Sequence, residues 1–227
     1  MKTVRELVAD FDGIAAALAA APVRERLTPA ERALLWHVPP RAKRAIDIGC
    51  GDGVVTRALA SRGIHVLGVD FSPGMIELAR ARTAPSLPVE YRQLEAMTGD
   101  LPDNAFDVVV SVAALHHMHL AEVVGRLARL VVPGGTLLLQ DVMNRRGLLQ
   151  WPMNATAAIT RRARELITHS RTPPQVTTLY LAHGANEQYL DVSSVASVYR
   201  TLLPSAHVFT HLEWRYSVVW HRPIQLT

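Results

Sequence analysis

Three glycines alternate in the stretch AIDIGCGDG, which covers residues 45–53. Gly49, Gly51 and Gly53 keep the turn after an apolar run free of side chains, so that a ligand can approach the backbone closely. A dinucleotide site would place its third glycine three positions after the second, at the start of a helix, and this chain has Val54 there. The spacing therefore disfavours a pyrophosphate cradle and favours a ligand with an aminoacyl arm and no phosphate.

A carboxylate ends the next apolar run. Asp70 closes the stretch HVLGVD, at the position where a carboxylate can accept hydrogen bonds from both hydroxyls of a ribose. An enzyme that uses NADP would prefer a basic group there. S-adenosylmethionine combines a ribose with an aminoacyl arm and carries no phosphate, and we expect it as the cofactor.

Two histidines and an aspartate are the candidates for acid–base chemistry. His116 and His117 follow the fourth apolar run and Asp141 ends the fifth. Imidazole, with an unperturbed pKa of ~6.5, suits a base that takes a proton from a hydroxyl group. We expect His116 or His117 to be the base and Asp141 to orient or polarise it. The alternative for each histidine is that it only caps or packs under its loop.

The pattern around these residues predicts strands that alternate with helices. The apolar runs are RAIDIG, HVLGVD, VEYRQL, FDVVVSVAAL and TLLLQDV, and amphipathic stretches separate most of them. A predicted turn at residues 133–135 precedes the last run. This alternation predicts a parallel sheet with helices on both faces. A helix over residues 3–20 and another that begins at Thr28-Pro29 precede the sheet.

The length of 227 residues fits one domain, for which we predict four parts. Residues 1–43 form helices that cover the site, and residues 44–142 form the cofactor-binding core. Residues 143–190 break the alternation and form a substrate or lid insertion. Residues 191–227 complete the domain with a last helix and the strands HVFTHLEW and YSVVWH, which are close enough to pair.

Four motifs in order resemble those of class I S-adenosylmethionine-dependent methyltransferases of the small-molecule, natural-product type. They are DIGCGDG, GVDFSPGMIELAR, FDVVVSVAALHHM and LVVPGGTLLLQD, and residues 45–142 carry the resemblance. It implies an α/β fold with a Rossmann-like seven-stranded sheet in the order 3-2-1-4-5-7-6, strand 7 being antiparallel. It also implies S-adenosylhomocysteine as the product formed from the cofactor.

The resemblance, carried over position by position, implies a set of cofactor contacts. The methionine end would lie against Asp47 and the loop Gly49, Cys50 and Gly51, and the ribose against Asp70. The adenine would lie against Phe71 and Met75, and Glu95 would reach its amino group from the place where the family has an aspartate. The remaining expected contacts are Ala96, Ser111 and Val112.

The absence of several known motifs narrows the range of possible methyl acceptors. The chain lacks the Asn- or Asp-Pro-Pro-aromatic loop of enzymes that methylate exocyclic amines of nucleic acids, and the paired glutamates of protein-arginine enzymes. Cys50 lies in the glycine loop, so no cysteine serves carbon-5 base methylation. A metal-dependent catechol-type enzyme would need a second carboxylate besides Asp141. We expect transfer without a metal to a hydroxyl of a small secondary metabolite.

Two other functions stay open. The same fold can catalyse a cyclisation or rearrangement with the cofactor as an auxiliary group, and a basic C-terminal third would suit an RNA-modifying enzyme. The single cysteine and the lack of an apolar run of ~18 residues predict a cytoplasmic protein without a membrane partner. We expect a small-molecule substrate instead of a nucleic acid, and the oligomeric state stays open between a monomer and a homodimer. The candidates to line the acceptor pocket are Trp36, His37, Trp151, Met153, Tyr180, His183 and Tyr189.

Overall fold

The structure is a computed structural model that describes residues 3–20, 27–144, 151–168, 173–184 and 189–224. The strands in these ranges are β1 Arg44–Ile48, β2 His65–Asp70, β3 Val89–Gln93, β4 Phe106–Val112, β5 Val131–Asn144, β6 Leu190–Asp191, β7 His207–His211 and β8 Arg215–His221. The helices are α1 Val4–Ala19, α2 Pro29–Leu35, α3 Val54–Ala60, α4 Pro73–Arg82, α5 Leu120–Leu130, α6 Trp151–Thr168, α7 Pro174–Gly184 and α8 Val195–Leu202. A short 3₁₀ turn, Leu115–His117, precedes α5.

The main path of the sheet runs β3-β2-β1-β4-β5-β8-β7. Strands β1 to β5 pair in parallel, and β8 is antiparallel to both of its neighbours. The predicted order 3-2-1-4-5-7-6 is confirmed, because the two-residue strand β6, which pairs with β5, was not predicted and adds one to the later numbers. The direction of the strand order reverses between β1 and β4, which is where ligands bind in open α/β sheets.

Each face of the sheet has its own apolar core. Val109 and its neighbours on one face pack with α5 and α8, whereas Val108 and Val110 on the other face pack with α2 and α3. Successive strand residues point to opposite faces, and both faces are covered. This explains why β4 reads as an almost continuous apolar run instead of an alternating one.

The first two helices begin as the sequence predicts. Thr3 and Glu6 form a capping box at the start of α1, and Thr28 and Glu31 form another at the start of α2. Each box satisfies backbone N–H groups that the first helical turn leaves without a partner. Helix α1 packs against α4 and α7, so it lies beside the carboxyl end of β2.

The prediction of a turn at Pro133, Gly134 and Gly135 is wrong in one respect, because the segment lies within β5. It forms an irregularity in the pairing of β5 with β4. The register with β4 shifts there, and Gly134 has a φ of 80°. The Gly134 N–H donates to the carbonyl of Arg222, and the Arg222 N–H donates to the carbonyl of Gly135, each at 2.9 Å. These bonds to the chain after β8 keep the segment in the strand.

A buried tyrosine pair offers a test of how α8 is held on the sheet. The hydroxyls of Tyr199 and Tyr216 lie 3.0 Å apart, and both side chains are buried. We predict that Tyr216→Phe lowers the free energy of unfolding by about 1–2 kcal/mol, because it leaves the Tyr199 hydroxyl buried without this partner. The double variant Tyr199→Phe/Tyr216→Phe should lose less than the sum of the two single variants. Urea unfolding followed by circular dichroism measures this, and strict additivity would contradict it.

Candidate active site

The glycine loop after β1 adopts a backbone that other residues rarely adopt. Gly49, Gly51 and Gly53 have φ values of 68°, 52° and 80°. A Cβ atom at Gly49 would lie 2.5 Å from that of Ala114, and one at Gly53 would lie 2.3 Å from the hydroxyl of Tyr91. At Gly51 a Cβ atom would meet nothing within 4 Å. Packing therefore requires two of the glycines, whereas Gly51 borders open space into which a ligand can come.

Asp70 is hydrogen-bonded to this loop. Its Oδ2 accepts from the N–H of Gly51 at 2.9 Å, and its Oδ1 accepts from the N–H of Ser72 at 3.0 Å. Burial raises the pKa of the Asp70 carboxyl, and the hydrogen bonds from Ser72 and Gly51 oppose that effect. The two features that the sequence places on separate strands thus form one polar site at the end of β1 and β2.

Helix α1 supplies a carboxylate that the sequence analysis did not assign to the site. Asp12 Oδ1 accepts from the Ser72 hydroxyl at 2.6 Å and from the Gly74 N–H at 3.0 Å, at the start of α4. The preceding residue, Phe11, packs edge-on against Phe71 with ring centroids 5.4 Å apart. Helical periodicity in the sequence marks the apolar face of α1, but it does not show that the polar edge of α1 meets α4.

Three of the expected cofactor contacts have side chains that are packed into the interior. Asp47 is buried and accepts a hydrogen bond from the Thr56 hydroxyl at 2.6 Å. Burial is the main cause that raises the pKa of Asp47 to about 7. Cys50 packs in a cluster with Ile76, Ala79 and Tyr91, and burial raises the pKa of its thiol. Met75 packs in the α1–α4 cluster with Ile14, Ala15 and Leu78.

The other expected contacts lie at the ends of β3 and β4. Ser111 donates a hydrogen bond from its hydroxyl to the carbonyl of Ile48 at 2.9 Å, which ties β4 to the end of β1. Glu95 follows β3 and accepts from the Thr98 hydroxyl at 2.8 Å. Ala96 is part of the core, and Val112 is half-buried at the end of β4. Their roles toward a cofactor stay predictions.

His116 and Asp141 form the hydrogen-bonded pair that the sequence leads us to expect. The ring Nδ1 of His116 lies 2.7 Å from Asp141 Oδ1, and the backbone N–H of His116 donates to Asp141 Oδ2 at 2.9 Å. The Val142 N–H also donates to Oδ1, at 2.7 Å. Because a carboxylate needs a donor, it favours the tautomer with the proton on Nδ1. The other nitrogen, Nε2, is then the one that can accept a proton.

His117 belongs to a second group of side chains. Its ring centroid lies 3.9 Å from that of His116, and its Nε2 lies 3.3 Å from Nε2 of His183 on α7. His183 Nδ1 lies 2.9 Å from Oδ2 of Asp10 on α1. The ring of Phe11 packs against both His117 and His183. Elements distant in the chain thus meet at the histidine pair.

The pocket-lining candidates divide into two groups. His183 contacts His117, and the ring of Tyr189 lies 5.1 Å from that of His116. Trp36 is 85% exposed and lines a separate surface cavity with Arg32 and Arg62, so it does not belong to this site. Of the other candidates, His37 packs near Phe209, and Met153 and Tyr180 are exposed. The side chain of Trp151 is outside the described residues.

The described residues contain no group of three or more His, Cys, Asp or Glu side chains arranged to hold a metal ion. In the same ranges, no helix has the length and apolar character needed to cross a membrane.

Comparison with known proteins identifies the family. A model described as a methyltransferase domain matches residues 46–139. An uncharacterized methyltransferase from Mycobacterium tuberculosis is 31% identical over 194 residues, which are 82% of this chain and 91% of that protein. The chain belongs to the class I S-adenosylmethionine-dependent methyltransferases. The cofactor predicted from the glycine loop and Asp70 is therefore confirmed.

Two more similar proteins are enzymes named for their reactions. A ubiquinone biosynthesis O-methyltransferase from Stutzerimonas stutzeri is 37% identical over 110 residues, which are 47% of each chain. A phosphoethanolamine N-methyltransferase from Haemonchus contortus superposes with a TM-score of 0.68 at 16% identity, over 98% of this chain and 61% of that one. The second comparison shows a shared fold, and the first spans about half the length of its enzyme.

The methyltransferase offers a matched pair of glycines to test the loop. Gly51 and Gly63 both have positive φ, and a Cβ atom would meet nothing within 4 Å at either. Alanine should therefore cost about 1–2 kcal/mol of folding stability at each position. We predict that Gly51→Ala also weakens S-adenosylhomocysteine binding at least tenfold in calorimetry, whereas Gly63→Ala leaves it unchanged. Equal affinities of the two variants would show that the open space at Gly51 is not where the cofactor lies.

The raised pKa of Asp47 predicts a pH dependence of stability. The folded protein holds the Asp47 proton up to a pH of about 7, whereas the unfolded chain releases it near 3.8. This group therefore makes stability fall as pH rises from about 4 to 7, by up to about 1.4 kcal/mol per pH unit. Asp47→Asn should flatten that slope in denaturant unfolding at several pH values. The exposed control Asp100→Asn should keep it, and identical slopes for all three proteins would refute the effect.

Proposed function

We propose that this methyltransferase moves a methyl group to a hydroxyl oxygen of a small molecule, with His116 as the general base. The observation that carries the proposal is the pair formed by His116 and Asp141, with 2.7 Å between Nδ1 and Oδ1. Asp141 is buried and fixes the histidine through both its backbone N–H and its ring. A hydroxyl acceptor must lose its proton during transfer, and an oriented imidazole meets that need.

The glycine loop and Asp70 fit the cofactor. Open space borders Gly51, and the Asp70 carboxylate lies next to it, as a ribose-bearing ligand with an aminoacyl arm requires. When bound, S-adenosylmethionine supplies a methyl group on a positively charged sulfur that is open to nucleophilic attack. The backbone of Gly49 and Gly51 would hold its methionine end, and Asp70 its ribose.

The residues of the chain have distinct tasks in the proposed reaction. Asp141 keeps the His116 proton on Nδ1, so that Nε2 can take the proton of the acceptor hydroxyl. The imidazolium that forms lies against the Asp141 carboxylate, which stabilises the charge. Aromatic rings of Phe11 and Tyr189 lie near the two histidines and would exclude water from the acceptor side.

Asp141 also supports a mechanism without a metal. Its Oδ1 is engaged by the His116 ring and the Val142 N–H, and its Oδ2 by the His116 N–H. A carboxylate committed to these donors is poorly placed to ligate a cation as well. Methyl transfer that stops completely in a chelator and returns with magnesium would overturn this part of the proposal.

The acceptor we propose is a phenol or another hydroxylated secondary metabolite in a natural-product pathway of the cytoplasm. Relatives of this chain include enzymes named for ubiquinone biosynthesis and for 2-methyl-6-phytyl-1,4-hydroquinone methylation. The aromatic side chains Phe11 and Tyr189 near the histidines suit a flat ring. Helix α1 lies in residues 1–43 and helix α7 lies in residues 143–190, and both reach the site. This fits the proposed role of the two segments as cover and lid.

Alanine substitutions separate the roles of the three histidines in and after the 3₁₀ turn. We predict that His116→Ala lowers kcat by about 10²–10⁴-fold, because it removes the base, without weakening S-adenosylhomocysteine binding. His119→Ala is the control, since His119 is exposed and its side chain does not cap α5. The assay follows transfer from methyl-labelled S-adenosylmethionine to a panel of phenols and hydroquinones. Unchanged turnover in His116→Ala and His117→Ala would remove both histidines from the mechanism.

A further inference from the structure

Asp10 and His183 form a second histidine–carboxylate pair at the site. His183 Nδ1 lies 2.9 Å from Asp10 Oδ2, much as His116 Nδ1 lies 2.7 Å from Asp141 Oδ1. The Asp10–His183 pair joins α1 to α7, whereas the His116–Asp141 pair joins the 3₁₀ turn to β5. The two pairs meet at His117, which lies between His116 and His183.

The contact between His117 and His183 can hold only one proton. It joins Nε2 of one ring to Nε2 of the other at 3.3 Å, so one nitrogen must donate and the other must accept. The Asp10 carboxylate favours a proton on Nδ1 of His183, which leaves Nε2 of a neutral His183 as the acceptor. His117 is then the donor through its own Nε2. The state of Asp10 thus sets the tautomer of His183 and, through it, the tautomer of His117.

Asp10 is the more exposed of the two carboxylates in this chain of groups. The side chains of Asp141 and His183 are 1% and 6% exposed, whereas that of Asp10 is 35% exposed. Phe11, next to Asp10, packs edge-on against the rings of His117 and His183 with centroids 5.6 and 4.7 Å away. The low exposure strengthens the hydrogen bonds between these groups.

We propose that Asp10 and His183 are positioning residues of this methyltransferase, which orient His117 and hold α1 and α7 over the acceptor side of the site. The inference rests on the proposed function for its effect on turnover. Its geometric part, the control of His117 by residues of α1 and α7, can be tested without any acceptor. His117 in turn packs against the ring of the proposed base, His116, so its orientation affects the space where that base works.

Two substitutions of His183 separate its two contacts. His183→Gln keeps a polar group near the position of Nε2 and so can still meet His117, whereas His183→Asn keeps one near Nδ1 and can meet only Asp10. The control is the substitution Thr178→Ala. Thr178 is an exposed residue of α7, and its hydroxyl donates a hydrogen bond to the Pro174 carbonyl of the same helix. Asp10→Asn completes the set, because it removes the charge with little change of shape.

The first readout is the imidazole ¹⁵N spectrum of the full chain saturated with S-adenosylhomocysteine. We expect Asp10→Asn and His183→Asn to change the ¹⁵N shifts of His117, the first of them through the contact of Asp10 with His183. His183→Gln should change them less, and Thr178→Ala should not change them. Unchanged His117 shifts in folded Asp10→Asn and His183→Asn proteins would overturn the proposal, and so would equal changes in the Gln and Asn variants.

The second readout is methyl transfer to the best acceptor of the phenol and hydroquinone panel. We expect kcat to fall about tenfold in His183→Asn and at most threefold in His183→Gln, while KM for S-adenosylmethionine stays within twofold. The effect of Asp10→Asn should vanish in the His183→Gln background, because Asp10 acts through His183. A full effect of Asp10→Asn in that background would contradict the proposal. If His116→Ala retains turnover, the proposed function fails. The ¹⁵N shifts of His117 then still decide whether Asp10 and His183 orient its ring.

Discussion

Parallel strands covered on both faces impose the main constraint on this enzyme. Strands β1, β2, β4 and β5 are covered on both faces, so their charged side chains lie near the strand ends. Their carboxyl ends share one edge, and the strand order reverses there between β1 and β4. Asp70 at the end of β2 and Asp141 near the end of β5 therefore come to the same edge of the sheet, although many residues separate them in the chain.

Buried carboxylates at this edge are stable only because each of them is hydrogen-bonded. Asp47 accepts from Thr56, Asp70 from Gly51 and Ser72, and Asp141 from His116 and Val142. A buried charge without such partners would cost several kcal/mol. Burial still raises the pKa of Asp47 and of Asp70. The same edge contains four residues with positive φ, namely Gly49, Gly51, Gly53 and Ala113, and of these only Ala113 is strained by that backbone.

The cover over this edge is held in a different way from the sheet. Helix α1 meets the core through the apolar cluster of Ile14 and Met75, and through polar bonds from Asp12 to the start of α4. Helix α7 reaches the site through His183, and its neighbour on α1 is Asp10. Both apolar packing and polar contacts therefore hold α1 and α7 at this edge.

The resemblance of four motifs to a known family implied the sheet order, and the amino-acid sequence by itself determined the alternation of strands and helices, the cap of α2 at Thr28, the glycine loop with Asp70, and the histidines with Asp141. These features depend on short-range periodicity, on cap and turn chemistry, and on motifs whose spacing is fixed along the chain. Only the tertiary structure decided that the side chains of Cys50 and Met75 pack inward, and that Trp36 lies on another surface. It also decided that Asp10 and His183 meet across most of the chain, because such a pair depends on how α1 and α7 pack and leaves no local pattern in the sequence.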